Sequence, residues 1–126
     1  MVARILVVDD DPIMRELLGI HLRNAGYEVQ TAEDGLAGGY RVLRSRPDLI
    51  ICDVNMPHLD GFEFVAALRS DSATRAIPVI FLTSDEEGQS RGKELGAVGY
   101  VSKPIRADQL LAVVAANVQG PVYPIG

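Results

Sequence analysis

Residues 49–61 read LIICDVNMPHLDG. Four apolar residues lead into a single aspartate, Asp53, followed by Asn55, Met-Pro and a turn ending in Gly61. A run that is apolar throughout, rather than alternating, is the pattern of a parallel strand covered on both faces. A carboxylate at the mouth of such a strand is costly unless something compensates its charge. Asp53 therefore either caps a loop or is a reactive group with partners elsewhere in the chain.

Working outward, short apolar runs recur at Ile5–Val8, Val29–Ala32, Val79–Leu82 and Tyr100–Ser102. Segments with helical periodicity lie between and after them, at about 12–25, 35–46, 61–70, 86–95 and 107–118. Asp11-Pro12 has the form of an N-cap with proline in the first turn, and Asp34 is placed to cap the second helix. Gly26 and Gly96 follow helical segments as stops. Gly38 and Gly39 fall inside the second helix, where each costs about 1 kcal/mol relative to Ala. Arg106 occupies the cap position of the last helix, where Ser, Asp or Asn is better suited.

Five βα repeats imply an α/β domain, a five-stranded parallel sheet with helices on both faces. Strand order is not readable from the pattern; the doubly wound, flavodoxin-like (βα)5 three-layer order 2-1-3-4-5 is the natural candidate at this size. One domain over 1–118 is expected, with 119–126, rich in Pro and Gly, as a flexible tail or linker.

The chain has 126 residues and a formal net charge of −5, which argues against direct nucleic-acid binding through a basic patch. Its one cysteine, Cys52, excludes an internal disulfide and reads as a core thiol. No apolar run reaches the length of a membrane span, and the N-terminal run is too short for a secretory signal, so a cytoplasmic location is expected. His21 and His58 lack metal-ligand spacing and read as surface residues.

Ligands of open α/β sheets sit outside the carboxyl ends of the strands. Asp9, Asp10 and Asp11 follow the first strand, and Asp11 is better read as a cap. Asp53 ends the third, Thr83 and Ser84 follow the fourth, and Lys103-Pro104 follows the fifth. Clustered carboxylates repel unless a cation joins them, and a hard ion such as Mg²⁺ suits oxygen ligands. A carboxylate is also a competent nucleophile toward a phosphoryl group, whose oxygens then need positive charge and donors. Mg²⁺, Lys103 and the Thr83 hydroxyl are the expected sources.

ILVVDDD (5–11), DLIICDVNMPHLDG (48–61), VIFLTS (79–84) and GYVSKP (99–104) together resemble the response-regulator receiver domain, the CheY-like family of two-component signalling, over about residues 3–118. The resemblance implies Asp53 as phosphoacceptor and Asp10 as the acidic residue that binds Mg²⁺ (or Mn²⁺) directly, with Asp9 acting through water. It implies the backbone carbonyl of Asn55 as a further metal ligand. Thr83 and Tyr100 take the switch positions, Lys103 the lysine preceding a cis proline, and Asn55 and Asp85 the positions that tune phosphoryl lifetime. The implied donor is a sensor histidine kinase or a histidine phosphotransfer protein. The domain would catalyse its own phosphorylation and dephosphorylation without being an enzyme in the ordinary sense, as a monomer or as a dimer on phosphorylation. The implied output face comprises the fourth helix, fifth strand and fifth helix, acting on an output domain or downstream protein.

The Thr83–Lys103 spacing is about two residues shorter than is usual in the family, which places a deletion near the fourth helix. Val98 stands where the family often has a polar residue. Three alternatives follow from the same residues. An interaction module with atypical output would lack an acid, the acceptor or the lysine; none is missing, but the shortened fourth-helix region keeps this alternative open. A Mg²⁺-dependent phosphohydrolase would want a second aspartate two residues after the nucleophile, where Asn55 stands. A flavin-binding module would want a Ser/Thr/Gly-rich loop where the three aspartates lie.

Overall fold

A computed structural model describes residues 2–84 and 86–118. The strands are β1 (Arg4–Val8), β2 (Glu28–Ala32), β3 (Leu49–Asp53), β4 (Val79–Thr83) and β5 (Gly99–Ser102). The helices are α1 (Pro12–Asn24), α2 (Gly35–Arg44), α3 (Gly61–Arg69), α4 (Glu86–Glu94) and α5 (Ala107–Asn117), in strict alternation with the strands. All strand pairings are parallel, in the order β2-β1-β3-β4-β5. The expected three-layer architecture is thus the one observed.

The apolar runs are buried on both faces because successive side chains point to opposite layers. Leu6, Val8, Ile50, Cys52, Val79 and Phe81 pack with Val42, Phe64, Val65 and Leu68 beneath α2 and α3. Their alternates Ile5, Val7, Leu49, Ile51, Ile80 and Leu82 pack with Leu18, Leu22, Leu110 and Val114 of α1 and α5. Leu18 and Leu22 are therefore core residues, and the apolar side chains that α1 shows to solvent are Ile13, Leu17 and Ile20.

Local chemistry sets the helix ends. Asp11 Oδ1 accepts from the Ile13 N–H at 2.9 Å, and Asp34 Oδ1 from Ala37 at 2.8 Å. Gly26 and Gly96 have φ of 101° and 77°, the left-handed conformation that a helix stop needs and side chains disfavour. Asp60 and Glu63 form a capping box at α3: Asp60 Oδ1 accepts from the Glu63 N–H and Glu63 Oε1 from the Asp60 N–H. Arg106 makes no side-chain cap at α5, as its type predicts.

Gly38 also has a packing reason. A Cβ there would lie 3.0 Å from Phe64 Cζ and 3.2 Å from Val8 Cγ2. α2 can approach β1 and α3 only because that position is bare. A Cβ on Gly39 would meet nothing within 4 Å.

Candidate phosphoryl-acceptor site

Register brings the strand ends together. Val8 pairs with Cys52 across β1 and β3, so Asp9 and Asp53 emerge side by side. Asp53 pairs with Leu82, which places Thr83 one residue beyond, and Thr83 pairs with Ser102, just before Lys103. The Lys103 N–H donates to the Thr83 carbonyl at 2.9 Å, and the Lys103–Pro104 peptide is cis.

At this edge Asp53 Oδ1 accepts from Lys103 Nζ at 2.8 Å and from the Asn55 N–H at 3.2 Å. Asp53 and Thr83 are buried, and Asn55 is exposed. One carboxylate oxygen from each of Asp9, Asp10 and Asp53 lies within 4.8 Å of the others. Asp9 Oδ1 accepts from the Asp11 N–H at 2.9 Å, while its buried Oδ2 has no partner among the described residues. Burial is the main reason the Asp9 carboxyl is raised from 3.8 to about 6. The Asp11 N–H opposes the shift, and the Asp53 and Asp10 charges add to it.

Three carboxylates facing one ammonium leave the edge short of positive charge. The orphaned Asp9 oxygen and the spacing of the three acids suit a hard divalent cation with oxygen ligands. The residues present fit Mg²⁺.

The pattern of 5–115 matches the model of the response regulator receiver domain. The chain belongs to this family. It is a receiver domain of two-component phosphorelay signalling, a signalling module rather than an ordinary enzyme, of a family that generally binds Mg²⁺ at its acidic pocket and acts with histidine kinases and output domains. The chain is 42% identical over 115 residues to the DNA-binding dual master transcriptional regulator RpaA of Synechocystis, covering 90% of this chain and 48% of that protein. It is 37% identical over 120 residues to Protein PilH of Pseudomonas aeruginosa, covering 94% of this chain and 99% of that one. It thus spans about half the length of one relative and nearly all of the other. The solved structure of chemotaxis protein CheY4 of Vibrio cholerae superimposes with a TM-score of 0.88 at 38% identity, covering 94% of this chain and all of that one.

Of the remaining residues singled out in the receiver motifs, Tyr100 is half-buried against the α4 side of the sheet. Its hydroxyl is buried with no partner among the described residues, and burial raises its pKa. Asp85 and the 119–126 tail lie outside the described residues. Three contributors at the site have no role assigned by the motifs. Arg15 Nη1 donates to the Asp9 carbonyl at 2.7 Å and supports the β1–α1 turn. Gly61 leaves room for β3, since a Cβ there would overlap the Asp53 main-chain oxygen and lie 3.0 Å from Val54 Cα. Gly92 of α4 leaves room for the Tyr100 ring, whose Cε1 would be 2.9 Å from a Cβ at that position. Asp60-x-x-Glu63 is a pattern from which the start of α3 can be read; the contacts of Arg15, Gly61 and Gly92 depend on the folded register.

Proposed function

We propose that Asp53 is the phosphoacceptor and that Lys103, Thr83, Asp9 and Asp10 make it competent. The observation that carries this is the buried Asp53 carboxylate, with Lys103 Nζ at 2.8 Å and two further carboxylates close by. In the transfer an Asp53 oxygen attacks the phosphorus of a phosphohistidine. The P–N bond breaks, an acyl phosphate forms, and the donor imidazole leaves and retains or takes up its proton. Lys103 then faces a phosphoryl oxygen in place of bare Asp53, and the buried Thr83 hydroxyl is a donor of the switch type.

Asp10 and Asp53 would hold Mg²⁺ (or Mn²⁺), with Asp9 through water and the Asn55 carbonyl completing the protein ligands. A bound Mg²⁺ supplies charge compensation for the incoming phosphoryl oxygens. Asn55 and Asp85 tune the lifetime of the phosphoryl group, which the domain removes by its own hydrolysis. Thr83 and Tyr100 report phosphorylation to the face of α4, β5 and α5.

Residues 1–118 constitute the receiver, and 119–126 serve as tail or linker. The donor is a sensor histidine kinase or histidine phosphotransfer protein of the cytoplasm, docking near α1, where Ile13, Leu17 and Ile20 are exposed.

Intact mass after incubation with acetyl phosphate and Mg²⁺ tests the reading. The expected result is a gain of one phosphoryl group, absent in Asp53→Asn and without metal. Retention of the adduct in Asp53→Asn would move the acceptor elsewhere. Absence of both the adduct and a beryllofluoride complex would overturn phosphorylation itself.

A further inference from the structure

α2 shows solvent an apolar stripe that the receiver chemistry does not use. Leu36, Tyr40 and Leu43 are 71%, 65% and 75% exposed. They follow one another at helical spacing along one face. The stripe borders a groove of about 420 Å³ between α2 and α3, floored by Gly39, Val42, Leu59 and Phe64. Gly39 weakens the helix, yet unlike Gly38 it relieves no contact within the chain, because a Cβ there meets nothing within 4 Å. A helix interior thus carries a hollow beside three protruding side chains. Exposed contiguous apolar patches of this kind mark interaction sites.

The pattern is self-complementary. Two α2 helices paired antiparallel about a two-fold axis between Gly39 and Tyr40 set each Tyr40 against Gly39 of the second copy. They set each Leu43 against Leu36. Charge follows the same symmetry. The C-terminal end of α2 carries Arg41, Arg44 and, just beyond, Arg46, all exposed and none in an ion pair among the described residues. The segment entering α2 carries exposed Glu33 and the cap Asp34. Antiparallel pairing lays the basic end of each helix on the acidic end of the other, and opposes the two helix dipoles favourably. We propose that this face is an isologous dimer interface, knob into hollow, which forms without phosphorylation and leaves Asp53 and the α4–β5–α5 face open.

Sedimentation velocity of the whole chain from about 10 µM to about 1 mM, without phosphodonor, tests it, since standard interfaces bury only about 800 Å² per partner and small ones associate weakly. The expected result is a concentration-dependent monomer–dimer shift in the wild type and equally in Asp53→Asn, which separates this proposal from the phosphoacceptor reading. Gly39→Leu fills the hollow, where a Cβ meets nothing within 4 Å, and Tyr40→Glu charges the knob. Each should weaken association at least tenfold while circular dichroism stays native. Glu33→Arg and Arg44→Glu should each weaken self-association, and mixing the two should restore a dimer. A monomer throughout, a dimer indifferent to Gly39→Leu and Tyr40→Glu, or a mixture that fails to recover would each overturn the proposal.

Discussion

Asp9 is an acid whose ionisation is at odds with the fold. Folding lifts its carboxyl from 3.8 to about 6, chiefly by burial, so the folded state favours the protonated form. Its contribution to stability is least unfavourable below about pH 4. The penalty builds as pH rises from about 4 to 6 and reaches roughly 3 kcal/mol once the group is ionised in both states. Asp9→Asn is therefore expected to stabilise the metal-free protein at pH 7 and to change little at pH 4. Urea denaturation of both proteins at the two pH values measures this, and an equal difference at both would assign the effect to packing instead. The identity of Asp9 as an acidic site residue was legible in the sequence. Its orphaned Oδ2 was not, because that depends on which groups β2, β3 and β5 bring around it.

At the scale of elements, the junction of β3 and α3 is the tightest point. Gly61 opens α3 against the end of β3, and its N–H donates to the Val54 carbonyl at 2.9 Å. Gly61→Ala must push α3 off the Asp53 carbonyl. A loss of about 1–3 kcal/mol is expected from such overpacking, together with slower acetyl-phosphate labelling of Asp53. Chemical denaturation and intact mass read the two effects, and labelling at the wild-type rate in a destabilised protein would uncouple them. The opposite case lies at α5. Arg106 has extended backbone angles (φ −105°, ψ 129°) suited to an N-cap but no side-chain acceptor. Its ion pair with Asp108 is largely exposed and worth little. Arg106→Ser is expected to stabilise by about 1 kcal/mol, read as a higher denaturation midpoint.

Across the whole molecule, the two faces of one sheet separate duties. α1 and α5 close one layer and α2, α3 and α4 the other, while every strand delivers its last residues to the same edge. Four loops from different strands thus make one pocket, and a cation held by its acids would tie the β1 and β3 loops together. Mg²⁺ is expected to raise the thermal midpoint with the logarithm of its concentration, adding about 2.7 kcal/mol at a hundredfold excess over its dissociation constant. Asp10→Asn should abolish most of that gain. A midpoint indifferent to Mg²⁺ in the wild type would count against the pocket as a metal site.

The element pattern, both-face burial and the residues at the strand ends were settled by local chemistry, because apolar period, caps and turn residues act over a few positions. LIICD announced a covered strand ending in an acid, and Asp11, Asp34 and Gly26 announced helix ends. Strand order, the 2.8 Å approach of Lys103 to Asp53, the reason for Gly38 and the hollow at Gly39 came only with the tertiary structure. Each depends on residues tens of positions apart meeting at contact distance, and sequence spacing alone does not set that geometry.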